Sequence, residues 1–349
     1  MAGVSSFEEL LTIVRTAVDR ELGASWARVL DEQSSRGVPV RAPLEAARDL
    51  CLRGGKRLRA ALVAVGFRLG GGGDAVASVL EACCAVELLQ AYFLIHDDWM
   101  DRDRLRRGGP AVHAALEGVF ASEHLAASGA VLAGDFTLAL ATSVLGQTRV
   151  PDGRWPAVLK RFAQMQLDAV IGQKLDVLGD GSALDEVYRL KTASYTVQGP
   201  LLLGLELGPG SPLAGTVAAI EAFATPLGIA FQLRDDLIGA FADESITGKP
   251  RGGDLRAGKH TLLVSLALGR RGSEVERLVS RVLGDPQAAP ERVDQALAAL
   301  DACGARAEVE RRITALAAEA SAALDTIPWP AGDRLLLDGL KRALLERVS

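Results

Sequence analysis

The chain has 349 residues, 49% of them hydrophobic, and its 39 Lys and Arg against 44 Asp and Glu give a net charge of −5. There is apolar material for one large core or two ordinary ones, while the acidic balance argues against nucleic acid or an anionic membrane as a partner. The four cysteines (Cys51, Cys83, Cys84, Cys303) follow no metal-ligand spacing or disulfide framework, so a reducing, cytoplasmic setting is expected.

The N-terminal stretch Ser5-Ser6-Phe7-Glu8-Glu9 is a capping box that opens a helix, not a signal peptide. Alanine and leucine abound and no stretch alternates strictly, so the expected fold class is all-α. Helices are predicted near 6–22, 43–70, 74–103, 110–118, 123–146, 156–176, 184–196, 198–206, 212–242, 258–269, 274–283, 290–303, 306–325 and 331–348. Breakers such as Gly70-Gly71-Gly72-Gly73 and Gly208-Pro209-Gly210-Ser211-Pro212 separate them. No polar linker divides the chain and no short repeat recurs, so residues 1–349 are expected to form a single all-helical domain.

The first chemically loaded stretch is Gly54-Gly55-Lys56-Arg57-Leu58-Arg59-Ala60, where two glycines meet three cations. It is either a basic helix surface or an anion site in which Lys56 and Arg59, one turn apart, face a phosphate together. Next comes an apolar helix in which Val76, Val79, Leu80, Cys83, Val86, Leu89 and Phe93 recur at threes and fours. Extended through the acidic residues, that helix places Asp97 and Asp101 one turn apart, with Asp98 on the flank of the same face. Three such carboxylates repel unless a cation lies between them, and hard oxygen ligands suit Mg²⁺. The alternative is a solvated acidic helix end. Against it stand the apolar, aromatic helix below and Arg106-Arg107-Gly108-Gly109 directly after, which together suit a diphosphate with a hydrocarbon tail.

The most apolar run, Leu125 to Gly146, carries Asp135 and several glycines and is expected to be a buried core helix, so no stable membrane insertion is expected. Gln173, Asp176 and Lys191-Thr192-Ala193-Ser194-Tyr195-Thr196 follow, each weak singly. Then Phe231-Gln232-Leu233-Arg234-Asp235-Asp236-Leu237-Ile238-Gly239 repeats the theme of paired carboxylates at the end of an apolar helix. The chain runs on through Asp243, Gly248-Lys249-Pro250 and Asp254-Leu255-Arg256-Ala257-Gly258-Lys259-His260-Thr261.

In this order, from Gly54 to about Thr261, the motifs resemble those of the trans-isoprenyl diphosphate synthases, the polyprenyl synthetase family. The resemblance implies an all-helical isoprenoid-synthase fold, with helices around a deep central cavity and the two aspartate motifs facing across its mouth. It also implies a homodimer. The implied partners are isopentenyl diphosphate and an allylic diphosphate: the allylic substrate ionises, isopentenyl diphosphate attacks, a proton leaves, and the chain is five carbons longer. Asp97, Asp101 and Asp235 are the implied Mg²⁺ ligands, with Asp98 and Asp236 in support. Arg106, Lys191 and Lys249 would hold the allylic diphosphate, Lys259 would join the substrate-binding set, and Lys191, Thr192 and Gln232 would line the carbocation. Lys56, Arg59 and Arg107, with Gln90 close by, would bind isopentenyl diphosphate. His96 is expected to hold an aspartate or a backbone group, leaving the released diphosphate to accept the proton.

The sequence departs from the family once, where a third aspartate of the second motif is replaced by Gly239. Asp243 lies one turn further on the same face. If Asp243 takes over, an aspartate at Gly239 should be tolerated. The departure also raises two alternatives, a class I terpene cyclase and a non-catalytic synthase subunit. A cyclase has no use for a second anion site, and a non-catalytic subunit has no use for five intact aspartates. Product length should depend on Phe93, one turn before Asp97, and on Tyr92, which closes the cavity from the flank. By resemblance, aromatics at these places accompany short products, so farnesyl diphosphate is expected, with geranylgeranyl diphosphate next.

Overall fold

The computed structural model describes residues 4–178, 181–242 and 251–346. Regular structure in them is helical apart from a hairpin of two two-residue strands, β1 (Leu105–Arg106) paired antiparallel with β2 (Gly109–Pro110), in the gap left between the helices predicted near 74–103 and 110–118. Contacts gather into two compact units, one of Met1–Phe162, Pro200–Ala214 and Ala331–Leu337, the other of Ala163–Gly199, Gly215–Pro330 and Asp338–Ser349.

In the first unit, α1 (Phe7–Glu32) opens on Ser6, whose hydroxyl accepts the Glu9 N–H at 3.2 Å, while Glu9 accepts the Ser5 N–H at 2.9 Å. The helix runs ten residues beyond the predicted end at 22, because Trp26 and Val29 continue the buried stripe of Leu10, Val14, Val18 and Leu22. Full burial of each such side chain is worth about 1.5–3 kcal/mol, enough to carry the helix through Gly23. The predicted helix 43–70 is two helices, α2 (Val38–Leu52) and α3 (Leu58–Phe67), separated by the loop that holds Gly54, Gly55 and Lys56. The π-turn Arg68–Gly72 then leads to α4 (Leu80–Met100). The hairpin, α5 (Val112–Glu117), α6 (Glu123–Leu145) and the first turns of α7 (Trp155–Leu178) follow.

α6 packs on α4 through small side chains, with Ala126, Gly129, Ala130, Ala133, Gly134 and Thr137 buried. It is not the enclosed core helix expected, because Leu125 and Leu132 on its other face are 53% and 65% exposed. By length and composition alone, Glu123–Leu145 and Thr216–Phe241 are each long and apolar enough to cross a membrane. α3 meets the part of α9 (Gly199–Leu207) that belongs to this unit backbone to backbone. A methyl group on Gly66 would overlap the Leu201 carbonyl, and one on Gly204 would overlap the Val63 carbonyl. Only glycine allows an approach this close.

The second unit is built on α10 (Thr216–Phe241), which packs against α15 (Ala305–Leu324) and against the π-helix Tyr188–Gln198. That π-helix extends the short α8 (Leu184–Val187) where an ordinary helix over 184–196 was expected. α11 (Gly253–Arg256), α12 (Leu262–Leu268), α13 (Glu274–Ser280) and α14 (Pro290–Ala302) complete a core of Leu233, Leu237, Leu255, Leu263, Val279 and Leu297. The last helix, α16 (Ala331–Leu345), has residues in both units.

Candidate active site

The first carboxylate cluster lies where α4 ends. Asp101 is the residue that closes the helix, and its N–H donates to the Asp97 carbonyl at 2.8 Å, so the two are one turn apart as predicted. Asp98 points inward and is fully buried. Its Oδ1 accepts Arg106 Nε at 2.7 Å and a second bond from the Arg106 terminal nitrogen, which also reaches Asp103 Oδ2 at 3.3 Å. The hairpin delivers Arg106 to this place, with Arg102 and Arg107 in the left-handed region at φ 58° and 51°. Burial works against the Arg106 charge, but Asp98 outweighs it and raises the arginine above its ordinary value. The other oxygen, Asp98 Oδ2, is buried without a hydrogen-bond partner among the described residues. A buried acceptor of this kind calls for a partner such as a water or a cation.

Beside this cluster, the α2–α3 loop sorts its three cations. Lys56 lies exposed in the loop, Arg59 is half-buried in the first turn of α3, and Arg57 between them turns inward with 3% exposure. Lys56 and Arg59 are therefore not successive turns of one helix, as the sequence suggested. The chain reverses at Arg57 itself (φ 49°, ψ 37°). Arg107 joins the loop by donating to the Gly54 carbonyl at 2.7 Å. Burial, with Arg57 and Arg59 nearby, depresses its pKa against the pull of Glu87. Gln90 is buried on α4.

Below Asp97 on α4, Tyr92 stands between two rings. Phe93 is 4.9 Å away and His96 4.8 Å, centroid to centroid. His96 Nε2 lies 3.1 Å from the Val131 carbonyl on α6, so it holds a backbone group as expected.

The second unit carries the other cluster. Methyl groups on Gly172 of α7 or Gly228 of α10 would collide with Lys191 and Ala193, so both helices press directly on the π-helix. Lys191 Nζ donates to Asp176 Oδ2 at 2.5 Å. Thr192 Oγ1 donates to Gln232 Oε1 at 2.7 Å, and Gln232 Nε2 donates to Asp236 Oδ1 at 2.8 Å. Tyr188 OH donates to Asp236 Oδ2 at 2.6 Å and accepts the Leu262 N–H at 3.0 Å. Burial, with Asp254 adding to it, pushes Asp236 up to about 7 against the opposing pull of Tyr188, Gln232 and Lys259. Asp235, its neighbour, is half-buried.

At Gly239 an added Cβ would overlap the Asp254 carboxylate, which also faces Lys259 Nζ at 3.6 Å. Any residue larger than glycine there requires the Asp254 side chain to turn aside, which sets the condition under which an aspartate would be tolerated. Asp243 and Lys249 lie outside the described residues. Among the described residues no three His, Cys, Asp or Glu side chains converge as a metal cage. Mg²⁺ takes one or two carboxylates and completes its shell with water and substrate phosphate, so the aspartates and the orphaned Asp98 oxygen fit it.

The polyprenyl synthetase profile spans residues 41–300. The chain belongs to the polyprenyl synthetase family. Among its relatives, the geranylfarnesyl diphosphate synthase of Aeropyrum pernix is 31% identical over 85% of this chain and 91% of its own. The (2E,6E)-farnesyl diphosphate synthase of Mycobacterium tuberculosis is 33% identical over 74% of this chain and 72% of its own. The crystal structure of a Corynebacterium glutamicum geranylgeranyl pyrophosphate synthase, complexed with isoprenyl diphosphate and magnesium, superposes with a TM-score of 0.86. It is 34% identical, and the match covers 97% of this chain and 99% of that one. This polyprenyl synthetase is a prenyltransferase, a short-chain prenyl diphosphate synthase with the all-α fold of its relatives.

Three residues of these clusters were not singled out from the sequence. Tyr188 had no local signal, since a tyrosine at a helix start is commonplace. Asp254 was visible within its motif, but its contact with Gly239 joins positions fifteen residues apart. Glu87 sits on α4 among buried apolar residues, and an acid at such a position always needs a partner.

Proposed function

We propose that this synthase condenses isopentenyl diphosphate with dimethylallyl and then geranyl diphosphate, releases farnesyl diphosphate, and works as a Mg²⁺-dependent, cytoplasmic homodimer. Geranylgeranyl diphosphate is the product next in line. The observation that carries this reading is the arrangement along α4, with Asp97 and Asp101 one turn apart and the half-buried Tyr92–Phe93 pair one turn before them. A diphosphate held at the carboxylates sends its tail along the helix toward those rings. One helical turn rises about 5.4 Å, close to the length of one isoprene unit.

Breaking the carbon–oxygen bond leaves charge on the departing diphosphate, so the residues should act mainly on that charge. Bound Mg²⁺ would supply Lewis-acid neutralisation of the leaving group, held by Asp97, Asp101 and Asp235. Asp98 fixes Arg106 beside the first ligands, and Asp236, clamped by Tyr188 and Gln232, stiffens the helix turn that presents Asp235. Arg106, Lys191 and Lys249 bind the allylic diphosphate, and Lys259 belongs to the substrate-binding set. The hydrogen-bonded Thr192–Gln232 pair, with Lys191, would line the allylic cation. Lys56, Arg59 and Arg107, with Gln90, bind isopentenyl diphosphate without metal. The departing diphosphate takes the proton lost after attack. The exposed Leu125–Leu132 face of α6 suits a second copy of the chain, and the four free thiols suit a reducing compartment.

Incubation with Mg²⁺, isopentenyl diphosphate and dimethylallyl diphosphate, followed by product extraction, tests this directly. A fifteen-carbon product is expected. A cyclic hydrocarbon from the allylic substrate alone would overturn the reading. Light scattering should return twice the chain mass.

A further inference from the structure

Arg57 is the one cation of the early basic loop whose side chain leaves solvent, with 1% of it exposed. Each of its three nitrogens has a partner on a different helix. Nε donates to Asp19 Oδ1 on α1 at 2.8 Å, Nη1 to Glu87 Oε2 on α4 at 3.2 Å, and Nη2 to the Cys51 carbonyl on α2 at 2.9 Å. Glu87 is itself 4% exposed, and its second oxygen accepts the Ala60 N–H at 3.2 Å. That N–H belongs to the first turn of α3, whose own N-cap residue, Arg57, makes no side-chain cap. Glu87 therefore does from another helix what an N-cap does locally.

The geometry points to the Arg57–Glu87 pair as the positioning device for the isopentenyl diphosphate subsite, on the reading of Lys56, Arg59 and Arg107 given above. Arg57 is committed at all three nitrogens and is not a phosphate ligand. Its buried fork holds the chain in the left-handed turn at residue 57, which sends Lys56 and Arg59 out from either side of it. The same turn places Gly54 where its carbonyl receives Arg107, and Gly55 where a Cβ would lie 3.3 Å from the Arg107 guanidinium. Three phosphate-binding cations thus take their places from one residue that does not touch phosphate. Lysine cannot replace it, since a single ammonium cannot reach three acceptors in a fixed plane.

Initial rates with isopentenyl diphosphate varied, then with the allylic substrate varied, separate this role from a merely structural one. Arg57→Lys should raise KM for isopentenyl diphosphate by about tenfold, with kcat and the allylic KM within about threefold of the parent. Glu87→Gln keeps the volume and the acceptor for Ala60, and should shift the same KM in the same direction. It decides the matter should Arg57→Lys fail to fold. Because Arg57 acts partly through Lys56 and partly through Arg59 and Arg107, Arg57→Lys should add to the effect of Lys56→Ala by less than its full effect in the parent. If Lys56→Ala leaves the isopentenyl KM unchanged, the subsite has been assigned to the wrong residues. If Lys56→Ala raises it and both Arg57→Lys and Glu87→Gln leave it within about twofold, the subsite stands and the positioning role is overturned.

Discussion

Gly239 and Asp254 share one place: the glycine has no side chain, and the Asp254 carboxylate fills the space that a side chain would take. The position to which the family resemblance assigns a third aspartate of the second motif is thus covered here by a carboxylate from α11. Gly239→Asp should lose about 1–3 kcal/mol of stability through overpacking, with like charges adding to it. Shortening the neighbour, as in Gly239→Asp with Asp254→Gly, should recover most of that loss. Urea unfolding of the two variants checks it; equal stability of Gly239→Asp and the parent would contradict the contact.

Asp97 and Asp98 are adjacent and should fail differently. Asp97 is half-buried on the side of the proposed metal, and Asp97→Ala should cost about 3–4 kcal/mol in barrier while leaving unfolding nearly unchanged. Asp98 is fully buried and paired with Arg106, so Asp98→Ala should cost about 3–5 kcal/mol in stability by stranding a buried guanidinium. Rate assays and thermal unfolding on both variants separate the two roles.

Lys56→Ala should raise KM for isopentenyl diphosphate, and Lys191→Ala should disturb the allylic substrate. Each loss should be about 1.5–3 kcal/mol, the worth of a hydrogen bond to a charged group. The Lys191 effect should be matched in part by Asp176→Ala, which frees the ammonium that Asp176 now holds. Crossed effects, with Lys56→Ala weakening only the allylic substrate, would reverse the assignment.

Phe93→Ala, alone or with Tyr92→Ala, should lengthen the product and leave the first condensation intact. Val86 and Cys83, which continue the Phe93 face, are smaller. Chromatography of the dephosphorylated products reads the change. An unaltered product from the double variant would place the floor elsewhere.

The part of this molecule that follows from local pattern was legible in the sequence. Apolar residues at threes and fours gave α4, an apolar run ending in paired carboxylates gave α10, and the acidic residues of both fell near the helix ends as expected. Three features were not, each for a physical reason. A π-helix differs from an α-helix by one residue in the span of its hydrogen bonds, too little for Tyr188–Gln198 to betray itself over eleven residues. The break between α2 and α3 was signalled by Gly54-Gly55, but the helix-favouring residues on both sides outweighed two glycines in the reading of 43–70 as one helix. Lys56, Arg57 and Arg59 look alike as charges, and only the acids of α1 and α4 decide which of them turns inward. Such choices belong to tertiary structure.

The glycine contact between α3 and α9 has a consequence for motion. Two helices that touch through their backbones, carbonyl against Cα, cannot slide or tilt without breaking contact along their length. α3 is thereby the anchored end of the segment whose other end is the basic loop. Its amides from Leu62 to Phe67 should exchange with solvent deuterium only on the timescale of global unfolding, which would give the proposed isopentenyl diphosphate subsite a stationary platform.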